Sequence, residues 1–285
     1  MRLFMVFVAT ILATPSAQAG ESCDAKKLAT AASRTGSIFL VLDGQYLSRG
    51  SDHTRLLPVE CTDEGGKRCT DDTRCDVGNR HGFNKFHRQN QDPKSPILPQ
   101  LSKDLNEQCR RHRDFLEAIH ESWLGLRIPL AVHRHLRYHM VRDVLTTMST
   151  SQLCFANDGT LGVEFPFEVV NPTSRSMLRV HVGGKAAQAP VEVILRDKVF
   201  TLRIGKKIRR IGPYKDDFNY KALHDALELE HWERTLRHVH VVPSPEHRME
   251  VVLRTLRAGS IGNPTHAPGR SAKEVPLAEK VTLEL

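Results

Sequence analysis

The sequence predicts a two-layer α/β protein (α+β layers) in which a β-β-α-β-α unit occurs twice, with the helices packed on one sheet face. Two apolar hairpins, an amphipathic helix after each, and a short strand followed by a second helix in both places predict this class. The 285 residues correspond to about two domains of ordinary size. A composition of 40% hydrophobic and 26% charged residues, with a mean hydropathy of −0.37, excludes collagen-like, disordered and multi-span membrane proteins.

The first unit begins with an apolar run, an Asp-Gly turn and a second apolar stretch, which predict a hairpin. Apolar residues at helical spacing then predict two helices separated by a short strand. Pro129 favours an edge position for that strand. The predicted elements are a hairpin at 38–47, a helix at about 99–123, a strand at 128–132, a helix at about 136–150, and strands near 153–156 and 161–167.

The second unit repeats this layout. Aligning Tyr138 with Met249 also places Val141 on Val252, so the last helix of each unit has the same register. The predicted elements are a hairpin at 191–204, a helix at about 217–236, a strand at 239–242 and a helix at about 245–258, with further strands possible at 175–182 and 281–285.

These patterns predict the domain organisation. It comprises a signal peptide at 1–19, a first unit at 20–168 with a cysteine-containing insertion at about 48–96, a connecting segment at 169–190, a second unit at 191–259, and a loose tail at 260–285 with a terminal strand.

The first residues are typical of a secretory signal peptide. Met1-Arg2 precedes an apolar run from Leu3 to Ala13 and an Ala-Gln-Ala site that ends at Ala19. Eleven apolar residues are too few for a membrane-spanning helix, which needs about 20. We therefore expect a bacterial periplasmic protein, exported by a cleavable signal peptide and without a transmembrane span in the mature chain.

The cysteine count agrees with export, because an even set of cysteines outside the cytosol usually pairs. A zinc site that recruits His81 and His87 is the alternative, but the cysteine spacings fit no standard zinc finger. Fifteen pairings are open, and the disulfide candidates are Cys23, Cys61, Cys69, Cys75, Cys109 and Cys154.

The second unit resembles the periplasmic domain of the ExbD/TolR family of biopolymer transport proteins, in residues 220–227 and 239–256. In that family a strand runs into an Asp-containing turn, a Pro-Tyr pair and an apolar-patterned helix. Here Ser244 stands at the Asp position and Arg248-Met249 replace Pro-Tyr. The first unit repeats the pattern more faintly in residues 130–145, where Tyr138 matches the family's Tyr and His133 takes the Asp position.

This resemblance implies a duplicated, soluble version of the periplasmic module, serving as an accessory to an envelope energy-transduction or transport system. Family members carry an N-terminal transmembrane Asp for proton coupling. No acidic residue lies between Met1 and Gly20, so that role is not expected here. The resemblance implies envelope partners of ExbB/TolQ or TonB type, or peptidoglycan. It also implies a monomer or homodimer, because the two units can supply both halves of the family's dimer.

The densest basic stretch is the candidate binding surface, and its predicted residues are Arg203, Lys206, Lys207, Arg209 and Arg210. An exported protein rarely meets nucleic acid, so an anionic envelope partner is expected. The alternative is a solvated hairpin edge whose charges prevent aggregation.

Histidines provide the alternative function, a secreted metal-binding protein, because imidazoles at short spacings bind zinc, copper or nickel. The candidate ligands are His133, His135, His139, His238 and His240. Catalysis is not expected, since G-x-S-x-G, P-loop, G-x-G-x-x-G, C-x-x-C and H-E-x-x-H motifs are absent from the sequence, and no cofactor is expected. An unrecognised hydrolase is a third, weaker interpretation.

Overall fold

The computed structural model describes residues 30, 33, 39–43, 46–50, 54–62, 83–86, 95–157, 159–171, 173–174, 176–183, 191–232, 236–260, 277–278 and 280–285. The predicted signal peptide at 1–19 lies outside these residues. Among the described residues, no helix combines the length and the hydropathy that a membrane crossing needs.

The described strands and helices follow one another along the chain as the sequence order requires. The strands are β1 (Leu40–Leu42), β2 (Tyr46–Arg49), β3 (Thr54–Thr62), β4 (Phe83–Phe86), β5 (Arg127–Val132), β6 (Thr160–Pro166), β7 (Met177–Gly183), β8 (Val191–Arg196), β9 (Val199–Ile204), β10 (Lys207–Ile211), β11 (His238–Val242) and β12 (Lys280–Leu283). The α-helices with defined bounds are α1 (Pro99–Ala118), α2 (Tyr138–Thr150), α3 (Tyr220–Trp232) and α4 (Met249–Ser260).

The twelve described strands form one mixed sheet in the order β10-β9-β8-β11-β12-β7-β6-β5-β1-β2-β3-β4. The pairs β8·β11, β11·β12, β12·β7, β6·β5 and β5·β1 are parallel, and the others are antiparallel. The mixed α/β class predicted from the sequence is therefore confirmed. The strands expected near 161–167, 175–182 and 281–285 are confirmed as β6, β7 and β12.

The strand order is the same on the two sides of β7. On one side it is β3-β2-β1-β5-β6, and on the other it is β10-β9-β8-β11-β12. The alignment that superposes the last helices places Leu130 on Val241, and these residues pair with Leu40 and Val193 in the neighbouring strands. The sheet runs without a break through the predicted connecting segment, because that segment contains β7.

Each predicted hairpin has a third strand, so both are three-stranded antiparallel meanders. In the second half the added strand is β10, whose first four residues are exposed. Only its last residue, Ile211, is buried, so β10 has no alternation of buried and exposed residues and the sequence pattern does not reveal it. In the first half, β3 occupies the start of the predicted insertion.

Two local predictions are wrong. Pro129 does not mark an edge, because its strand β5 lies between β1 and β6. The ladder to β6 covers residues 127–129 and the ladder to β1 covers residues 130–132, so the proline lies where one ladder ends and the other begins. The strand expected near residues 153–156 is a 3-10 turn at Gln152–Cys154. The turn follows α2 directly, and its buried Cys154 packs against α1.

One apolar core joins the helices to the sheet. The buried side chains of α1 to α4 belong to the same cluster as one alternating set of strand residues, which places the helices on one face. In α2, for example, Val141, Val144, Leu145 and Met148 are all fully buried at helical spacing. The other sheet face carries mostly polar side chains and a small separate cluster around Phe39, Val41 and Ala131.

The two strand-to-helix turns, one in each half, pair with each other. The N–H of Tyr138 donates to the carbonyl of His247 at 2.7 Å, and the N–H of Met249 donates to the carbonyl of Leu136 at 2.7 Å. These bonds are equivalent under the repeat alignment, because Tyr138 corresponds to Met249 and Leu136 to His247. The turns therefore meet across a pseudo-two-fold axis, as identical patches do in a symmetric dimer.

A second equivalent pair of bonds extends this contact. The N–H of His139 donates to the carbonyl of Pro245 at 3.0 Å, and the N–H of Glu250 donates to the carbonyl of Arg134 at 2.8 Å. Because the turn residues bond across the axis, α2 and α4 begin at Tyr138 and Met249, a few residues later than the apolar patterns predict.

A disulfide joins Cys109 of α1 to Cys154 of the 3-10 turn, and both residues are fully buried. The bond is consistent with the expectation of disulfides, and it gives one of the pairings that the sequence left open. The side chains of Cys23, Cys61, Cys69 and Cys75 lie outside the described part of the structure. Disulfides are typical of proteins outside the reducing cytosol.

Candidate functional site

The predicted basic residues lie together at one edge of the sheet. Arg203 is near the end of β9, Lys206 lies in the turn, and the other three lie in β10. Gly205 has φ +56°, and no atom beyond the glycine and its two chain neighbours lies within 4 Å of where a Cβ would stand. The glycine therefore permits a two-residue turn that brings β10 back beside β9.

The register divides these cations between the two faces. Arg209 lies opposite Leu202, whose buried side chain belongs to the helix-covered face, so Lys207 and Arg209 point to that side. Arg210 and the 64% exposed Ile208 point to the open face.

Most of this charge is not neutralised within the described part of the chain. Arg203 pairs with Glu192 of the neighbouring strand at 2.7 Å. No ion pair is found among the described residues for Lys206, Lys207, Arg209 and Arg210, and all four are exposed. The edge is therefore a compact cationic surface.

The outer backbone of β10 has no strand beside it in the described sheet. Ile204 and Lys207 flank the two-residue turn, so they form a hydrogen-bonded pair. The following pair, Ile208 with Arg203, is a non-hydrogen-bonded pair. The N–H and C=O groups of Ile208 and Arg210 consequently point away from β9. An extended segment can bond to these groups as an added strand.

A tight turn after β10 adds an aromatic side chain near this edge. Tyr214 and Asp217 exchange backbone hydrogen bonds at 2.9 and 3.1 Å, and Lys215 and Asp216 adopt positive φ angles. Tyr214 is 59% exposed, with the Lys215 ammonium 5.4 Å from its ring centroid. The turn returns the chain to the core at Phe218.

The predicted metal ligands are brought together in pairs. The rings of His133 and His135 lie 5.4 Å apart after β5, and those of His238 and His240 lie 6.5 Å apart on β11; His139 lies in α2. Within the described ranges, no group of three or more His, Cys, Asp or Glu side chains is arranged to hold a metal ion.

The β11 histidines instead contact the C-terminal strand. Thr282 Oγ1 lies 2.7 Å from His238 Nε2 and 2.8 Å from His240 Nδ1. His240 Nε2 lies 2.8 Å from a carboxylate oxygen of Glu284. Both nitrogens of His240 are thus engaged by protein atoms, so this pair is not placed as metal ligands. The contribution of Thr282 and Glu284 follows from the parallel register, which the sequence pattern did not predict.

This chain of contacts has the connectivity of a nucleophile, a base and an acid, but the described residues around it do not add the oxyanion donors that a hydrolase uses. It lies on a sheet face, and the neighbouring N–H groups of Lys280 and Glu284 already donate to the carbonyls of Arg237 and Val241. A catalytic triad also needs donors directed at the oxyanion. We therefore interpret these contacts as holding β12 in place.

A cleft of about 610 Å³ was also missed by the sequence patterns. It lies at the carboxyl ends of the parallel strands β8 and β11, where α/β sheets often form crevices. His247 lines it, and its Nδ1 accepts the N–H of Ser244 at 2.9 Å. Burial lowers the pKa of His247, opposed by the nearby Asp197 carboxylate.

Comparison with protein-family models, with curated proteins and with solved structures found no match to this chain. The resemblance to the ExbD/TolR family therefore stays a prediction from the sequence.

Proposed function

We propose that this protein is a non-enzymatic interaction protein that binds an extended acidic segment of a partner along β10. The observation that carries the proposal is an edge strand with outward backbone groups and four exposed cations without an ion pair in the described chain. Backbone pairing supplies affinity in such complexes, and the alternating side chains supply specificity.

The two faces of β10 favour different partner residues. Lys207 and Arg209 alternate on one face, so carboxylates at every second position of the partner strand lie opposite them. The exposed Ile208 favours an apolar partner residue on the other face. The expected partner segment therefore alternates acidic and apolar residues.

We further propose that the protein acts in the bacterial periplasm as an accessory to an ExbB/ExbD- or TolQ/TolR-type system. The signal-peptide-like start and the Cys109–Cys154 disulfide support export. The sequence resemblance supports a partner of ExbB/TolQ or TonB type. Peptidoglycan is the other anionic partner, and it would be bound through charge without strand pairing.

Strand pairing can be tested by removing one outward N–H group. Ile208→Pro removes the outward N–H and leaves the inward bonds of Lys207 and Arg209 to β9 intact. Ile208→Ala is the matched control, because it loses the same side chain but keeps the N–H. The probe is a fluorescein-labelled (Glu-Val)₄ peptide, measured by fluorescence anisotropy.

We expect Ile208→Pro to abolish binding and Ile208→Ala to retain it. Lys207→Glu/Arg209→Glu should weaken binding by roughly tenfold, since each cross-strand charge pair contributes about 0.2–1 kcal/mol and its reversal adds repulsion. Equal binding by the proline and alanine variants would exclude strand pairing. If the parent protein, Ile208→Pro and Ile208→Ala all bind purified sacculi equally and none of them binds the peptide, the partner is the wall polymer.

A further inference from the structure

We propose that the space between β11 and β7 is a second strand-binding site, closed by this chain's own C-terminal strand β12 at neutral pH. In acid it would open to the C-terminal strand of a second copy. The site is separate from β10, and the inference does not depend on the proposed function.

The position of β12 makes its release possible. It is a strand of only four residues, and it lies inside the sheet between two parallel neighbours. Its pairing with β7 consists of one register position, Thr282 with His181. Nineteen residues separate the end of α4 from β12, and such a length can span about 60 Å when extended. A connection of this length allows β12 to separate from β11 and β7.

Side-chain contacts hold this segment in addition to its ladder. The hydroxyl of Tyr138 donates to the carbonyl of Glu284, and His231 Nδ1 lies 2.7 Å from the carbonyl of Leu277. Val281 and Leu283 are buried against the core. A second copy offers the same residues in the same order, so its C-terminal strand fits the site with the same contacts.

Protonation of His238 makes both of its ring nitrogens hydrogen-bond donors. Thr282 Oγ1 lies 2.7 Å from His238 Nε2 and can accept its N–H. The same hydroxyl lies beside His240 Nδ1, and His240 Nε2 lies beside the Glu284 carboxylate. His238 Nδ1 is buried and without a hydrogen-bond partner in the described structure. A proton added there is a buried N–H without an acceptor.

The charges around His238 also oppose its protonation. Burial lowers its pKa most, followed by the positive charges of Lys280, His240 and His181. Two described carboxylates near this pair are engaged elsewhere: Glu284 bonds to His240, and Glu192, opposite His240 in β8, pairs with Arg203. Protonation of His238 consequently favours the state in which β12 has left and the imidazole is solvated.

The first test is hydrogen exchange by mass spectrometry on the full chain at pH 7.5 and pH 5.5, expressed as protection factors. We expect protection in residues 236–242 and 280–285 to fall at least tenfold in acid relative to residues 191–204. His238→Gln keeps an N–H donor but does not titrate, so it should abolish this acid response. His224→Gln is the matched control, because His224 contacts the carbonyl of Ala258 in α4 and should leave the response unchanged.

The second test uses a labelled peptide of residues 278–285. We expect it to bind the full chain at least tenfold more tightly at pH 5.5 than at pH 7.5, with His238→Gln showing no such gain. Concentrated protein returned from pH 5.5 to pH 7.5 should contain exchanged dimers by size-exclusion chromatography. Equal protection at both pH values, an unchanged acid response in His238→Gln, or opening without binding of the peptide or a second copy would each overturn the proposal.

Discussion

Breaking the buried disulfide tests whether chain connectivity stabilises the first half of the molecule. Cys109 and Cys154 are 45 residues apart in sequence. Closing a loop of that length removes about 13 cal/mol/K of unfolded-chain entropy, or about 4 kcal/mol at 25 °C. This is a large share of the roughly 5–15 kcal/mol by which domains are stable. We therefore expect Cys109→Ala to lower the free energy of unfolding by about 4 kcal/mol.

The single and double alanine variants distinguish the cross-link from packing. Either single substitution already breaks the bond, so the double variant should lose little more than each single variant. If packing of the sulfur atoms dominated, the two losses would add. Urea unfolding followed by tryptophan fluorescence is a suitable assay, because Trp123 lies beside this turn and its indole N–H donates to the carbonyl of Phe155 at 2.6 Å.

The denaturant slope provides a second check. Without the cross-link the unfolded chain is more expanded, so the slope should rise as the midpoint falls. A loss below about 1.5 kcal/mol for a single variant, or additive losses, would contradict the loop-entropy account. Non-reducing peptide mapping should recover the Cys109–Cys154 pair from the parent protein.

Three further outcomes are expected. Gly125→Ala should lower the free energy of unfolding in urea by at least about 3 kcal/mol, because φ is +83° and the new Cβ would stand 2.6 Å from a backbone nitrogen. Gly205→Ala should lower it by only about 1 kcal/mol, because its Cβ would meet no such contact. Equal losses for the two variants would contradict this. Burial lowers the pKa of His238 and His247, so below about pH 6.5 these groups bind more protons in the unfolded chain than in the folded one. The urea midpoint should therefore fall from pH 7.5 to 5.5, and it should level off once the folded imidazoles are also protonated. A midpoint that does not change with pH would refute this reasoning. Tyr138→Phe should cost about 1 kcal/mol by losing its hydroxyl bond to the C-terminal strand, and an unchanged urea midpoint would show that this bond contributes nothing.

The elements with buried apolar faces were predictable from sequence. In α2 and α4 the matching apolar positions are buried, because helical spacing reports directly on the face that meets the core. β12 was predicted from the alternation in residues 281–285, but its place in the sheet was not. Parallel neighbours are chosen by tertiary packing, so local pattern does not reveal that β12 lies between β11 and β7.

Local sequence patterns also predicted only part of the candidate surfaces. The cations of β10 were visible as a run, but their position on an edge strand was not, because β10 lacks buried alternation. The partners of His238 and His240 depended on the register with β12. The bonds between the two strand-to-helix turns use backbone atoms, which leave no signature in the side-chain sequence.

The pseudo-two-fold pairing of the turns affects how many partner strands one molecule can bind. A symmetric dimer of identical units presents two identical outer edges and can bridge two partners. Here the two halves are joined in one chain, and the two outer described strands, β10 and β4, have different sequences. β10 carries three cationic residues in its five positions, whereas β4 carries one in four. Under the proposed function, an acidic strand therefore meets one preferred edge of the described sheet, so one molecule would not join two such strands through its outer edges.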